Sequence, residues 1–400
     1  MLLPGRFDSQ KRRNMQFDRS VVPRCVLKSS TVRSYFAGAA ETRCRSPFFI
    51  SNARSEHTMQ INRRRMLALS LGGGAVLATG FAGQSALQRL SAWPTPREFT
   101  RHGLGLGTKV SMTVLANSSK AAEQALDAAF AEIETVEQVM SLYRPDSQIC
   151  QLNRDRILRQ PHPYLCEVLT TAASISELSG GAFDVTVQPL WDLRSTHRQR
   201  KSAPTPQEID ATRSTIRWQS VEVDHELVRF NTPVESITLN GIAQGFAADR
   251  ALTALRRHGI EHALINAGEI SSLGEKSNDH PWVTGIQHPR DPDAYAAVIP
   301  LDGRSLATSG DYATSFSADF SQNHIFDPRT GDSPQELASV TIAAASGVLA
   351  DGLSTAAMVL GAEQTLALVR QIPDVDAFLV LKSGQTLRTT GFPSDVTIDS

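Results

Sequence analysis

The chain has 400 residues, 41% hydrophobic and 20% charged, enough for one large or two medium globular domains. Its formal charge of -1 argues against nucleic acid as the main partner, since phosphate binding needs a basic surplus. Only Cys150 and Cys166 lie beyond residue 58, too few for a disulfide scaffold or a cysteine zinc site; two separate buried thiols are expected, with one bridge as the alternative.

In chain order, residues 1–58 carry nine Arg and two Lys against four acids, without apolar periodicity. They read as disordered or as lying upstream of the true start, with Met59 as an alternative initiator. Asn62-Arg63-Arg64-Arg65 then leads into LALSLGGGAVLATGFAG, a short apolar run with five glycines. A basic stretch before a modest apolar one is export-signal grammar, and the paired arginines resemble the twin-arginine type over 59–92. A poor transmembrane anchor and an organellar transit peptide are the alternatives. The expected location is periplasmic, with association to the inner membrane left open.

After the linker Trp93-Pro94-Thr95-Pro96 the folded unit is expected over 98–392. Lys109–Ala116 alternates like a strand, and Asn117-Ser118-Ser119 caps a long amphipathic helix reaching Met140. A second helix over Tyr164–Leu178 stops at Gly180-Gly181. The polar, basic stretch 192–206 reads as an exposed loop, and 216–240 as a meander of short strands that includes Ile237–Leu239. A helix over Ala243–Arg257, a strand over Ile260–Ile265, a late helix through ADGLSTAAM and a closing hairpin (Ala377–Leu381 with Gln385–Thr389) complete the pattern. Strands and helices mix without strict alternation, which predicts an α+β fold and no doubly wound sheet.

Several short motifs carry candidate chemistry. Asp351, Ser354 and Thr355 share one helical face in ADGLSTAAM, where they would cap a helix end or hold a metal. Gly241-Ile242-Ala243-Gln244-Gly245 opens a helix whose free amides would receive an anion. The segment 308–312 packs hydroxyls, a glycine and an acid into what reads as a phosphate-receiving loop. In HIFDPRTG, His324 is a candidate proton-transfer group and Arg329 a candidate anion ligand, against the plain reading of a reverse turn. Gly103–Gly107 reads as a flexible lead-in to a strand. His258-Gly259-Ile260-Glu261-His262 fits an H-x-x-E-H zinc pattern only if both histidines share a helix, which Gly259 argues against.

Taken together, MSLYRPDSQICQLN (140–153), GAFDVTVQPLWDL (181–193), LNGIAQGFAADRAL (239–252), ALINAGEI (263–270), SLATSGDY (305–312), HIFDPRTG (324–331) and ADGLSTAAMVLG (350–361) resemble the ApbE family of flavin transferases. The resemblance implies one T-fold-related catalytic unit of mixed sheets with packed helices. It also implies a reaction: Mg²⁺-dependent transfer of FMN from FAD to a Thr or Ser hydroxyl of a target flavoprotein, such as a membrane redox subunit, with AMP released. A FAD pyrophosphatase and a non-catalytic flavin binder are the alternatives. Matched by position, Leu106, Tyr143, Ala182, Phe183, Asp184, Gln244 and Phe326 would contact flavin substrate, and His324 with Asp351 would serve catalysis. Gly241 (carbonyl), Asp351 and Thr355 would bind Mg²⁺, with Ser354 beside them. Three positions depart from the family pattern: Leu106 stands where Met is common, Gln244 where Lys is frequent, and Glu269 where a second glycine is common.

Overall fold

The computed structural model describes residues 96–277 and 280–396. The basic leader and the twin-arginine-type segment fall outside the described residues. In chain order the elements are β1 Arg97–Gly105, β2 Thr108–Ala116, α1 Ser119–Met140, α2 Gln148–Asp155, β3 Ile157–Arg159, α3 Pro163–Leu178, α4 Gln188–Gln199 and α5 Pro206–Arg213. There follow β4 Val221–Val223, β5 Leu227–Phe230, α6 Ala243–Arg257, β6 Ala263–Asn266, β7 Ile270–Leu273, β8 Val283–His288 and β9 Asp291–Pro300. The chain ends in β10 Ser305–Gly310, β11 Leu337–Ala344, α7 Gly347–Val369, β12 Asp376–Leu381 and β13 Thr386–Arg388.

Eight strands form one sheet in the order β1-β2-β6-β7-β10-β11-β12-β13, and every neighbouring pair is antiparallel. This is the mixed α+β architecture expected, with no parallel crossover unit among the described residues. Strand β11 is buried along its whole length, which requires cover on both faces. Helix α7 packs against β10, β11 and β12 on one side. On the other, Trp282, Ile286 and Ile299 of the β8–β9 region close over Leu306, Phe378 and Val380. Helix α7 is apolar and long enough to cross a membrane by composition, yet most of it is buried core. It breaks at Gly361 (φ 77°, ψ -178°), a backbone region essentially confined to glycine.

Local chemistry accounts for the well-anticipated elements. The Ser118 hydroxyl caps α1, and Gly180 and Gly181 (φ 61° and 82°) end the turn after α3. Four expectations are corrected. Residues 188–199, read largely as loop, form α4, opened by Pro189 at its first turn, with Leu190 and Arg194 buried. Ile237–Leu239 is no strand: the Asn153 side chain accepts from the Ile237 amide (2.9 Å) and donates to its carbonyl (2.9 Å), doing the work of a neighbouring strand. The glycine-rich 103–107 segment ends β1, where Gly103 and Gly105 lie against Phe130 and Ile133 of α1. Cys150 and Cys166 are two free thiols, half-buried rather than buried.

Candidate active site

The N-termini of α6 and α7 meet at two glycines. A Cβ on Gly245 would lie 2.1 Å from the Gly347 carbonyl oxygen, and one on Gly347 would lie 2.5 Å from that of Gly245. Only bare backbone permits such an approach. Each helix then caps the other. Asp249 of α6 accepts from the Gly347 and Val348 amides (2.7 and 2.9 Å), while Asp351 of α7 accepts from the Gly245 amide (2.9 Å) and the Gln244 amide. The anion seated on the GIAQG helix end is therefore an internal carboxylate. Asp351 itself is the fifth residue of α7, so the dipole it complements belongs to α6. Sequence reading missed Asp249; its position four residues after Gly245, on the same helical face, was the available signal.

Oxygen atoms gather beside this crossing. The Thr355 hydroxyl lies 3.5 Å from the Gly241 carbonyl and 3.3 Å from the Ser309 hydroxyl. A Cβ on Gly241 would sit 2.8 Å from that Thr355 oxygen, so glycine is needed here too. Ser354, expected beside the ion, engages its hydroxyl with the Asp351 carbonyl (2.9 Å) and with Ser309 (2.7 Å), and so places Ser309. Burial pushes the Asp351 carboxyl up to about 7, with the nearby Asp249 charge adding to the rise. Asp249 is raised to about 6, again mainly by burial. Glu269 is buried and held well above the usual carboxylate range by desolvation and by Asp351, while it accepts from the Thr308 amide at 3.2 Å. Desolvation is thus the main cause of all three rises, and among the described residues no three His, Cys, Asp or Glu side chains gather closely enough to hold a metal ion.

Glu269 also lines a cavity of about 360 Å³ between the β8–β9 ribbon and the main sheet, with Asn266, Thr308 and Tyr312. Gly268, at φ 98°, lets the Gln244 side chain approach to about 3 Å of where a Cβ would stand. Thr308 and Ser309, expected on a phosphate-receiving loop, are residues of β10. The Thr308 amide is taken by Glu269 and the Asp311 amide by the Ala338 carbonyl, leaving the Ser309 hydroxyl as the group facing the oxygen cluster.

His324 stands on a loop whose base is tied twice. Asn323 donates its amide to the Ser333 hydroxyl (2.9 Å), which donates to the Asn323 carbonyl (2.8 Å). The His324 Nδ1 lies 3.2 Å from the Thr314 carbonyl. A carbonyl only accepts, so Nδ1 carries the hydrogen and Nε2 keeps a free lone pair. Burial holds the imidazole below its ordinary pKa, partly offset by the Thr314 carbonyl and the charge of Asp311. Strand β10 links the two centres, with Ser309 at the oxygen cluster and Asp311 immediately after its end.

The family profile of ApbE matches residues 106–379, more than half of the chain. The chain belongs to the ApbE family. It is similar to the FAD:protein FMN transferase of Salmonella typhimurium, 29% identical over 308 residues covering 74% of this chain and 87% of that protein. A Klebsiella pneumoniae protein of the same description is 31% identical over 265 residues, 64% of this chain and 81% of its own. Among solved structures, the ApbE protein of Thermotoga maritima aligns with a TM-score of 0.67 at 28% identity, covering 74% of this chain and 98% of that one. The apo flavinyl transferase ApbE of Pseudomonas stutzeri aligns with a TM-score of 0.65 at 29% identity, over 74% and 95%.

Tyr143 is 76% exposed, an open ring at the turn after α1. Leu106 holds φ 51° in the β1–β2 turn, and its amide donates to Glu137 at 2.9 Å. Ala182, Phe183 and Asp184 are buried. The Asp184 carboxylate is turned inward to the Thr186 amide and hydroxyl (2.7 and 2.6 Å) and the Trp218 amide (3.2 Å), so it shapes the GAFD turn. Phe326 is buried and stacked on Phe316 at 6.4 Å. Arg329, expected as an anion ligand, forks onto Asp327 with two contacts of 2.8 Å. His262 accepts from the Glu275 amide at 2.9 Å, and Gly259 (φ 73°) follows the end of α6, so the H-x-x-E-H segment has no shared helical face.

Proposed function

We propose that this chain is an Mg²⁺-dependent enzyme that transfers FMN from FAD to a Thr or Ser hydroxyl of a target flavoprotein and releases AMP. The observation that carries this reading is the all-oxygen cluster at the α6–α7 crossing, found in a chain whose relatives are named FAD:protein FMN transferases. Its donors suit a hard cation: a carbonyl from Gly241, a carboxylate from Asp351 and a hydroxyl from Thr355. Adjacent ligands of an octahedral Mg²⁺ stand roughly 3 Å apart, given Mg–O distances of about 2.0–2.1 Å. The Gly241–Thr355 separation of 3.5 Å is close to that spacing.

When bound, Mg²⁺ would neutralise charge that develops on the pyrophosphate oxygens. His324 Nε2 accepts the proton of the acceptor hydroxyl. The hydroxyl oxygen bonds to the FMN phosphorus, the bond from that phosphorus to the bridging oxygen breaks, and AMP departs with that oxygen. Gln244 and the Ser309 hydroxyl offer neutral donors to the phosphates, in place of the positive charge that a Lys at 244 would bring. We place the reaction outside the cytoplasm, on the strength of the basic and apolar pattern at 62–83, with exported or membrane-bound flavoprotein subunits as acceptors.

The test is incubation with FAD, Mg²⁺ and an acceptor subunit, read by intact mass. The expected result is one FMN adduct per acceptor, abolished by Asp351→Asn. Free FMN without an adduct would make the protein a pyrophosphatase, and FAD that stays bound and uncleaved would make it a flavin binder.

A further inference from the structure

Helix α4 runs along the loop that carries His324. Leu190, Arg194 and Arg198, spaced by four residues, share one face of it. Leu190 lies near Gly331 at the far end of the loop; a Cβ on that glycine (φ 78°) would meet Ile209 of α5 at 2.6 Å and Leu190 at 3.5 Å. Arg198 lies over the ring of Phe316 at 5.7 Å, and Phe316 stacks on Phe326. Between them the Arg194 side chain is 8% exposed. Its Nη1 donates to the Gln322 side-chain oxygen, and its Nη2 to Asp332 (2.6 Å) and the Gly331 carbonyl (3.4 Å). Gln322 precedes the Asn323–Ser333 tie and Gly331 and Asp332 immediately precede its other half, so one guanidinium spans the neck of the loop. Arg213 of α5 adds a contact to the Arg329 carbonyl at 2.7 Å.

We infer that Arg194 is a positioning residue for flavin transfer: its planar fork holds the neck of the 323–333 loop closed and so fixes His324. The inference rests on the function proposed for His324, and extends it to a residue that touches neither substrate nor metal. Nη1 and Nη2, fixed in one plane, make three hydrogen bonds that reach both sides of the neck, a geometry a Lys ammonium cannot reproduce. Asp332 is largely exposed, so the ion pair alone is a weak reason for burying an arginine here. What the guanidinium secures is the joining of two chain segments.

Opening the neck hydrates His324. The charged group facing the imidazole is Asp311 at the end of β10, itself paired with Arg290 and Lys382, and among the described residues the ion pairs of α4 go elsewhere, to Asp332 and Glu208. Water entry therefore moves the His324 titration upward toward its ordinary value without a change in its charged neighbours.

The experiment compares the full chain with R194K, and with the double variant Q322A/D332A, which removes the side-chain acceptors and keeps the arginine. NMR follows the His324 ring titration, FAD binding is read by flavin fluorescence, and transfer is measured by intact mass to the acceptor subunit of the assay above. The expected result is FAD affinity within about twofold of wild type, a kcat loss approaching the roughly 100-fold cost of a 1 Å misplacement, and a His324 titration shifted upward in both variants. An unchanged titration in both overturns the inference whatever the transfer assay shows. A kcat loss matched by lost FAD binding also overturns it, since Arg194 would then support the fold alone. If the wild type modifies no acceptor while the titration shift is seen, the positioning role stands and the proposed acceptor chemistry fails.

Discussion

Gly245→Ala tests the helix crossing on which the oxygen cluster depends. The added methyl would meet the Gly347 carbonyl oxygen at 2.1 Å, its carbon at 2.4 Å and the Asp351 Cβ at 2.7 Å. Moving from 2.1 Å to an ordinary contact near 3.4 Å requires the helix ends to part by about 1.3 Å. Both partners are backbone or rigidly held, so no side chain can swing aside. Overpacking costs about 1–3 kcal/mol, and losing the charge-assisted bond from the Gly245 amide to Asp351 costs about 1.5–3 kcal/mol more. The better helix propensity of alanine returns about 1 kcal/mol. The net of roughly 1.5–5 kcal/mol corresponds to a fall in Tm of roughly 3–20 °C. Separating Asp351 from Gly241 and Thr355 should also weaken Mg²⁺ binding at least tenfold, read as a smaller Tm rise on adding MgCl₂. A variant that melts within about 2 °C of wild type and keeps its full Mg²⁺ response would refute the reasoning.

The titrations give two further expectations. Because folding raises the Asp351 carboxyl to about 7, the unfolded chain ionises first, and this group's contribution to stability declines as pH rises from about 4 through 7. Mg²⁺ should restore what ionisation removes, so its stabilising effect in thermal melts should be larger at pH 8 than at pH 6; equal shifts would count against Asp351 as a ligand. For His324 the sign is reversed: its lowered pKa contributes stability present above about 6.5, lost as pH falls through the folded value. Transfer should therefore persist below pH 6.5 before its acid limb, and His324→Ala should lower the rate by roughly 10²–10⁴-fold at pH 7; full activity in that variant would remove the base assignment. Gly361→Ala places a Cβ 2.2 Å from the Glu336 carboxylate that caps Ala362, in a backbone region closed to alanine, and should cost about 2–4 kcal/mol. It should leave the Mg²⁺ response intact, since the break lies beyond the oxygen cluster; a lost response would show that the two halves of α7 are coupled.

Much of the fold was legible because its signals are local. A Ser cap and a regular apolar stripe mark α1, paired glycines stop α3, and the span of α6 follows from its periodicity alone. Helix α4 was not legible, because its polar sequence buries little beyond Leu190 and Arg194, and an arginine normally marks a solvated face. Only the acceptors at Gln322 and Asp332, more than a hundred residues away, reveal that this one faces inward. The 237–239 segment misled for a related reason. Its apolar pattern is that of a strand, and its partner is the side chain of Asn153.

The same contrast explains the site. ADGLSTAAM presents an acid and two hydroxyls on one helical face, which is readable, but the chemistry of that face depends on what lies opposite. Without Gly245 and Gly347 the helix ends could not approach, and without Asp249 the first amides of α7 would lack their carboxylate cap. Asp351 then takes the amides of α6, which orients its carboxylate but leaves it desolvated and close to Asp249 and Glu269. A neutral apolar core would be easier to stabilise than this arrangement. Under the proposed function, the single carboxylate of Asp351, with the hydroxyls and the carbonyl beside it, would be the part of this arrangement offered to a divalent cation. The aligned amides hold the Asp351 carboxylate in position, and a bound cation would relieve the unfavourable burial of its charge.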